Sequence, residues 1–166
     1  MTAPREDSPT SRLVLSSAAF AEGTPIPERH TCDGENLSPA LAWTGVPVGT
    51  RTFALICDDP DAPRGTWVHW ILWNLPADAI ELKEGVPPKP ELPSGVRQGN
   101  NGGGNIGYAG PCPPRGGPHR YYFRLHALDV ALNLPPGVSR SDLEAAMEGH
   151  VLARAVTMGR YERQQR

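Results

Sequence analysis

Residues 66–75 read TWVHWILWNL. Trp67, His69, Ile71, Trp73 and Leu75 fall on one face of an extended chain, and Val68, Trp70 and Leu72 on the other. A strand that is apolar on both faces belongs inside a layered fold, covered above and below. His69 then sits among apolar neighbours, where an unpartnered imidazole is costly. The run is preceded by DDPDAPRG at 58–65, with three aspartates and two prolines in eight residues. Such a turn either caps the strand or forms one wall of a site.

Working outward, strands are expected at 12–17 (RLVLSS), 41–43 (LAW), 51–57 (RTFALIC), 119–129 (HRYYFRLHALD) and 151–162 (VLARAVTMGRYE). Asp58 reads as the exposed end of strand 51–57. In 119–129, His119, Tyr121, Phe123, Leu125 and Ala127 share one face. Arg120, Tyr122, Arg124 and His126 share the other, which is expected to face solvent or the rim. A short helix is expected at 141–148, opened by a capping box of Ser141 with Glu144 and stopped at Gly149. Residues 76–118 carry many prolines and the run GNNGGGNIGYAGPCPPRGGP at 99–118. A long loop of this kind is functional or disordered.

Among 166 residues, 18 are glycine and 19 proline, while apolar types make up 39%. That length suits one domain, and the pattern predicts a loop-rich, mostly β protein. Residues 1–11 are expected as a flexible N-terminal tail and 12–166 as a single domain. The formal charge is −2, with no basic run, so no nucleic-acid partner is expected. No apolar stretch approaches a membrane span. MTAPREDSPTSR at the start lacks the apolar centre of a signal peptide, which points to the cytoplasm. Cys32, Cys57 and Cys112 show no metal-type spacing. A reducing cytosol would hold them as thiols, although a Cys32–Cys112 bridge stays open because both lie in glycine-rich loops.

Strand alternation gathers Asp59, Asp61, His69, His119 and Tyr121 on or near inward faces. Each histidine alone reads equally well as a satisfied core or rim side chain. Three chemistries can use the set. Two histidines and a carboxylate can bind a metal, but no HxH or HxxxH pair supports it, and neither metal nor cofactor is expected. A His–Asp pair, His69 with Asp59, can activate a water or hydroxyl for hydrolysis, but no GxSxG elbow is present. Imidazoles, a phenol and backbone N–H groups can together hold a phosphate-type anion. Asp59 and Asp61 would then orient the imidazoles, and a zwitterionic ligand would offset their charge. The glycines at 102–104 lack a P-loop pattern and read as permissive turns. Pro60, Pro63, Pro113 and Pro114 would stiffen a pocket wall, with one X–Pro bond expected to be cis.

DPDAP (59–63), WVHW (67–70) and GPCPPRG–HRYYF (110–123) resemble the two signature regions of the phosphatidylethanolamine-binding proteins, also called Raf kinase inhibitor-like proteins. TCDGENLSPALAW (31–43) and NGGGNIGYAGPCPP (101–114) are similar to the bacterial and archaeal branch. The resemblance covers about residues 12–162. It implies a Greek-key β-sandwich of two antiparallel sheets with a few short peripheral helices. It implies a small anion cavity to which Asp59, Pro60, Asp61, His69, Pro114, His119 and Tyr121 contribute, with Trp67 packed at the rim. It implies a non-catalytic binder of phosphate or lipid head groups, or a regulator of a kinase or protease, and a homodimer in some members. Gly102 and Gly103 stand where bacterial relatives carry an acidic residue and an aromatic one, so a smaller, more flexible loop and a wider mouth are expected. The C-terminal helix of the eukaryotic branch has no counterpart in this sequence.

Overall fold

The computed structural model describes residues 12–163; the expected tail at 1–11 lies outside the described residues. Eight strands form two antiparallel sheets. The smaller contains β1 (Val14–Ser16), β2 (Leu41–Thr44) and β5 (Glu81–Leu82), in the order β1-β2-β5. The larger contains β3 (Thr52–Asp59), β4 (Trp67–Pro76), β6 (Arg97–Gln98), β7 (His119–Leu128) and β8 (Val151–Tyr161), in the order β6-β4-β3-β7-β8. One α-helix, α1 (Arg140–Met147), and two 3-10 turns complete the described elements.

All eight residues of β3 are buried, as expected of a central strand with a layer on each side. Leu55, Cys57, Trp70, Leu72, Phe123 and Leu125 pack toward Leu15, Leu41 and Trp43 of the small sheet. Trp43 and Phe53 meet across the layers at 5.4 Å between ring centroids. Ala54, Ile56, Ile71 and Trp73 point the opposite way, onto Leu143 and Met147 of α1.

The face assignment of β4 is corrected by two bulges. Cys57 pairs with Trp70 but Asp58 pairs with Val68, which leaves His69 as the extra residue. A second shift lies between the Leu55–Leu72 and Phe53–Leu75 pairs. An extra residue reverses the alternation beyond it. Trp67 and His69 therefore share a side with Trp70 and Leu72, while Ile71 and Trp73 face the helix. Asn74 marks the second bulge with a φ of 63°. Its amide accepts from Leu132 N (2.8 Å) and donates to Leu132 O (2.9 Å).

The helix begins earlier than expected. Ser139, not Ser141, is the N-cap, and its capping box is closed by Asp142 rather than Glu144. Both frames fit the pattern, but this one places Val138 before the cap and Leu143 four residues into the helix, where both pack in the same cluster. That hydrophobic staple selects the frame. Gly149, at φ 83°, ends the turn after the helix as expected. The long segment 76–118 is pinned by buried Gln98. Its amide accepts from Trp70 Nε1 (2.7 Å) and donates to the carbonyls of Pro87 (2.8 Å) and Lys89 (2.9 Å). Every peptide bond in the described residues is trans, so the expected cis proline is absent from them. Among the described residues no helix is long and apolar enough to cross a membrane.

Candidate functional site

Because β3 runs antiparallel to both β4 and β7, its last residues lie beside the first residues of its two neighbours. Asp59, Trp67, His69, His119 and Tyr121 therefore meet at one end of the large sheet. Loops 32–36 and 109–114 close the other sides. Together they enclose a cavity of about 320 Å3, whose lining includes all five of those residues together with Cys32, Asn36, Cys112, Pro113 and Pro114. A larger groove of about 590 Å3 beside α1 contains none of the expected residues.

Asp59 is buried and holds two groups. Its Oδ2 accepts from His119 Nδ1 at 2.7 Å, and its Oδ1 accepts from the Asp61 amide at 2.7 Å. The His–Asp pair thus joins His119 to Asp59, not His69 to Asp59 as expected for hydrolysis. His69 is 5% exposed and its Nδ1 lies 2.5 Å from the Ala109 carbonyl. A carbonyl only accepts, so Nδ1 carries the hydrogen and Nε2 of the neutral ring offers a lone pair. Burial pushes the His69 pKa below the usual imidazole range, opposed by the Ala109 carbonyl and the Asp59 charge. The His69 ring lies edge-on to Trp67 (4.6 Å) and to Tyr121 (5.1 Å). The Tyr121 hydroxyl is buried and makes no well-formed hydrogen bond among the described residues. Burial, then the nearby Asp59 carboxylate, by its charge and as an acceptor within reach of the hydroxyl, push its phenol well above the usual range.

Pro60 and Asp61 lie outside the lining. Asp61 does not orient an imidazole. It accepts from Arg120 Nε (2.9 Å), Nη2 (2.7 Å) and the Arg120 amide (2.9 Å), and these bonds hold its pKa down at about 2. Asp58 is not an exposed strand end. It is 1% exposed and clamped on the helix side by Arg124 (3.0 Å) and Arg140 (2.7 Å). His126 is likewise buried, so the face it shares with Arg120 is not solvent-facing along its whole length. Gly102 does not widen the mouth. A Cβ there would come within 2.5 Å of Trp67 Cε2, so the glycine seats the indole against the backbone, where Gly102 N donates to Val68 O.

Sequence reasoning missed the backbone wall at Ala109 and Gly110, and missed Asn36. Gly110 N donates to Asn36 Oδ1 at 2.9 Å, and a Cβ at 110 would run into the His30 carbonyl. No side chain announces such a wall, although the glycine-rich run did mark the loop. Cys32 and Cys112 are joined in a disulfide with a Cα–Cα distance of 5.4 Å, which replaces the reading of three free thiols; Cys57 remains free and buried. Among the described residues no three His, Cys, Asp or Glu side chains gather closely enough to hold a metal ion.

The family model of the phosphatidylethanolamine-binding proteins matches residues 16–162. A UPF0098 protein of Methanothermobacter thermautotrophicus is 54% identical over 91% of this chain and 99% of its own. One from Aquifex aeolicus is 51% identical over 91% of this chain and 89% of its own. Among solved structures, Escherichia coli YbcL, described as a new member of the mammalian family, superposes with a TM-score of 0.86 at 32% identity. The match covers 92% of this chain and 99% of that one.

Proposed function

The chain belongs to the phosphatidylethanolamine-binding protein family, and from that premise we propose that it is a non-catalytic binding protein whose cavity takes a small phosphate-type anion or zwitterionic head group. The same premise carries the Greek-key reading of its two sheets. The observation that supports the ligand reading best is the Tyr121 hydroxyl, a buried donor in the wall of a cavity that makes no well-formed hydrogen bond among the described residues, with only the already bonded Asp59 carboxylate near it. A buried polar group left unpaired costs about 1–3 kcal/mol, and a ligand oxygen would remove that cost.

The ring nitrogens refine the ligand. His69 offers a lone pair from Nε2, and Tyr121 offers a hydrogen. A monohydrogen phosphate or phosphomonoester satisfies both, because its P–OH donates to His69 while another oxygen accepts from Tyr121. Sulfate at neutral pH carries no hydrogen and leaves His69 facing an anion with a lone pair. Asp59 repels the ligand less than a bare carboxylate would, since both its oxygens already accept hydrogen bonds. The non-catalytic reading draws on the absence of a poised nucleophile. Among the described residues no serine lines the cavity, Cys32 and Cys112 are bonded to each other, and burial raises the Cys57 thiol well above its usual pKa.

Calorimetric titration near neutral pH tests this. Phosphate and phosphoethanolamine are expected to bind at one site per chain, with sulfate at least about tenfold weaker, the equivalent of one lost hydrogen bond. Absence of binding by phosphate, phosphoethanolamine and acetate would sink the proposal. Equal affinity for sulfate would remove the assigned hydrogen from His69 Nδ1.

A further inference from the structure

We propose that Cys32–Cys112 is a thiol–disulfide exchange site through which a dithiol reductant controls the cavity. The proposal rests on the anion-site reading of that cavity. Both cysteines line the cavity, and both are exposed, so the bond sits at the rim where a thiolate can reach it. Exposed disulfides are the exchangeable ones, whereas bonds sealed in a core are not.

The bond joins two loops that also meet through hydrogen bonds and the close approach of Gly110 to His30 and Thr31. Tyr108 Oη donates to His30 O (2.7 Å), Gly110 N to Asn36 Oδ1 (2.9 Å) and Cys32 N to Pro111 O (3.1 Å). The same loop carries the Ala109 carbonyl that accepts from His69. Loosening residues 109–112 therefore acts directly on the imidazole that faces the ligand. The pair is separated by 80 residues, so opening the bond removes the covalent tie and leaves the two loops to the hydrogen bonds just named.

In the exchange, one thiolate of the reductant attacks a cysteine sulfur. The S–S bond breaks, a mixed disulfide forms, and the departing sulfur takes a proton. The second thiolate of the reductant attacks the mixed disulfide and releases the other cysteine as a thiol. Two electrons pass from the dithiol, which leaves as a disulfide, to the pair, which becomes two thiols.

The full chain, incubated with dithiothreitol at graded ratios of its reduced and oxidised forms and quenched with N-ethylmaleimide, tests the proposal by mass spectrometry. Cys32 and Cys112 are expected to label together while buried Cys57 does not. Phosphate affinity is expected to fall at least about fivefold on reduction, to return on reoxidation, and to be equally low in the Cys32→Ser/Cys112→Ser double variant. Labelling of Cys57 in step with the other two would mean that the bond opens only by unfolding, and would overturn the proposal. So would an unchanged phosphate affinity in the reduced, folded chain. If phosphate binds neither form, the anion reading fails, and the His69 ring signals in carbon–proton NMR spectra decide the redox coupling. Signals that move on reduction uphold it, and signals that stay put overturn it.

Discussion

His69 and His126 are both buried imidazoles, and they differ in what their nitrogens meet. His69 donates to the Ala109 carbonyl and keeps one nitrogen for the cavity. His126 Nδ1 has no well-formed hydrogen bond among the described residues, and burial with the neighbouring Arg154 charge, opposed by the Ala54 backbone, lowers its pKa to about 4. The folded state therefore stays neutral at His126 while the unfolded chain binds a proton near pH 6.5. Between those values the unfolded state holds more protons, so stability falls as pH drops from about 6.5 to 4, by roughly 3 kcal/mol in all. Urea unfolding of the His126→Phe variant is expected to lose most of that slope. A slope identical to that of the unaltered chain would show that His126 titrates normally. At this scale, alternation places His119 and Tyr121 on the face that meets the cavity, whereas His69 shares its side with Trp70 and Leu72 rather than with the Ile71 and Trp73 that alternation assigns to it. Asp58 was not legible. Its partners Arg124 and Arg140 come from a strand and a helix distant in sequence, and nothing beside Asp58 signals them.

At the scale of elements, the six longer strands follow from apolar runs, but the bulges in β4 do not. A bulge is set by what the partner strand needs, and periodicity within one strand cannot show it. The consequence reaches the cavity, since the bulge at His69 turns the imidazole to the side of Trp67 and Tyr121. The second bulge is held by Asn74, whose side chain joins the Leu132 backbone with two hydrogen bonds at positive φ. Asn74→Ala would leave both Leu132 groups without that partner and place a Cβ residue less suited to this conformation at the position. A loss of about 2–3 kcal/mol is expected in chemical denaturation. A change under 0.5 kcal/mol would show that the bulge is set by β3 and β4 alone. The helix start follows the same logic, since the staple of Val138 on Leu143 separates two capping frames that look alike in sequence.

At the scale of the whole molecule, three distant segments must meet to make one cavity, namely the strand ends of the large sheet and the loops at 32–36 and 109–114. The signature runs point to the strand ends and to Pro114, but not to Asn36 or to the backbone wall at Ala109 and Gly110. Two of the three segments are joined by a disulfide across 80 residues, worth on the order of 4 kcal/mol in a chain-entropy account, as well as by hydrogen bonds. On the proposed exchange, the redox poise of the compartment would set the state of the site, since disulfides persist in oxidising surroundings and are reduced in reducing ones. What these segments enclose is the central claim, and calorimetric titration of phosphate at neutral pH into the unaltered chain and the His69→Ala variant tests it most directly. One-site binding that weakens by about 1.5–3 kcal/mol in the variant is the predicted result. No binding to the unaltered chain, or the same affinity in both proteins, would contradict it.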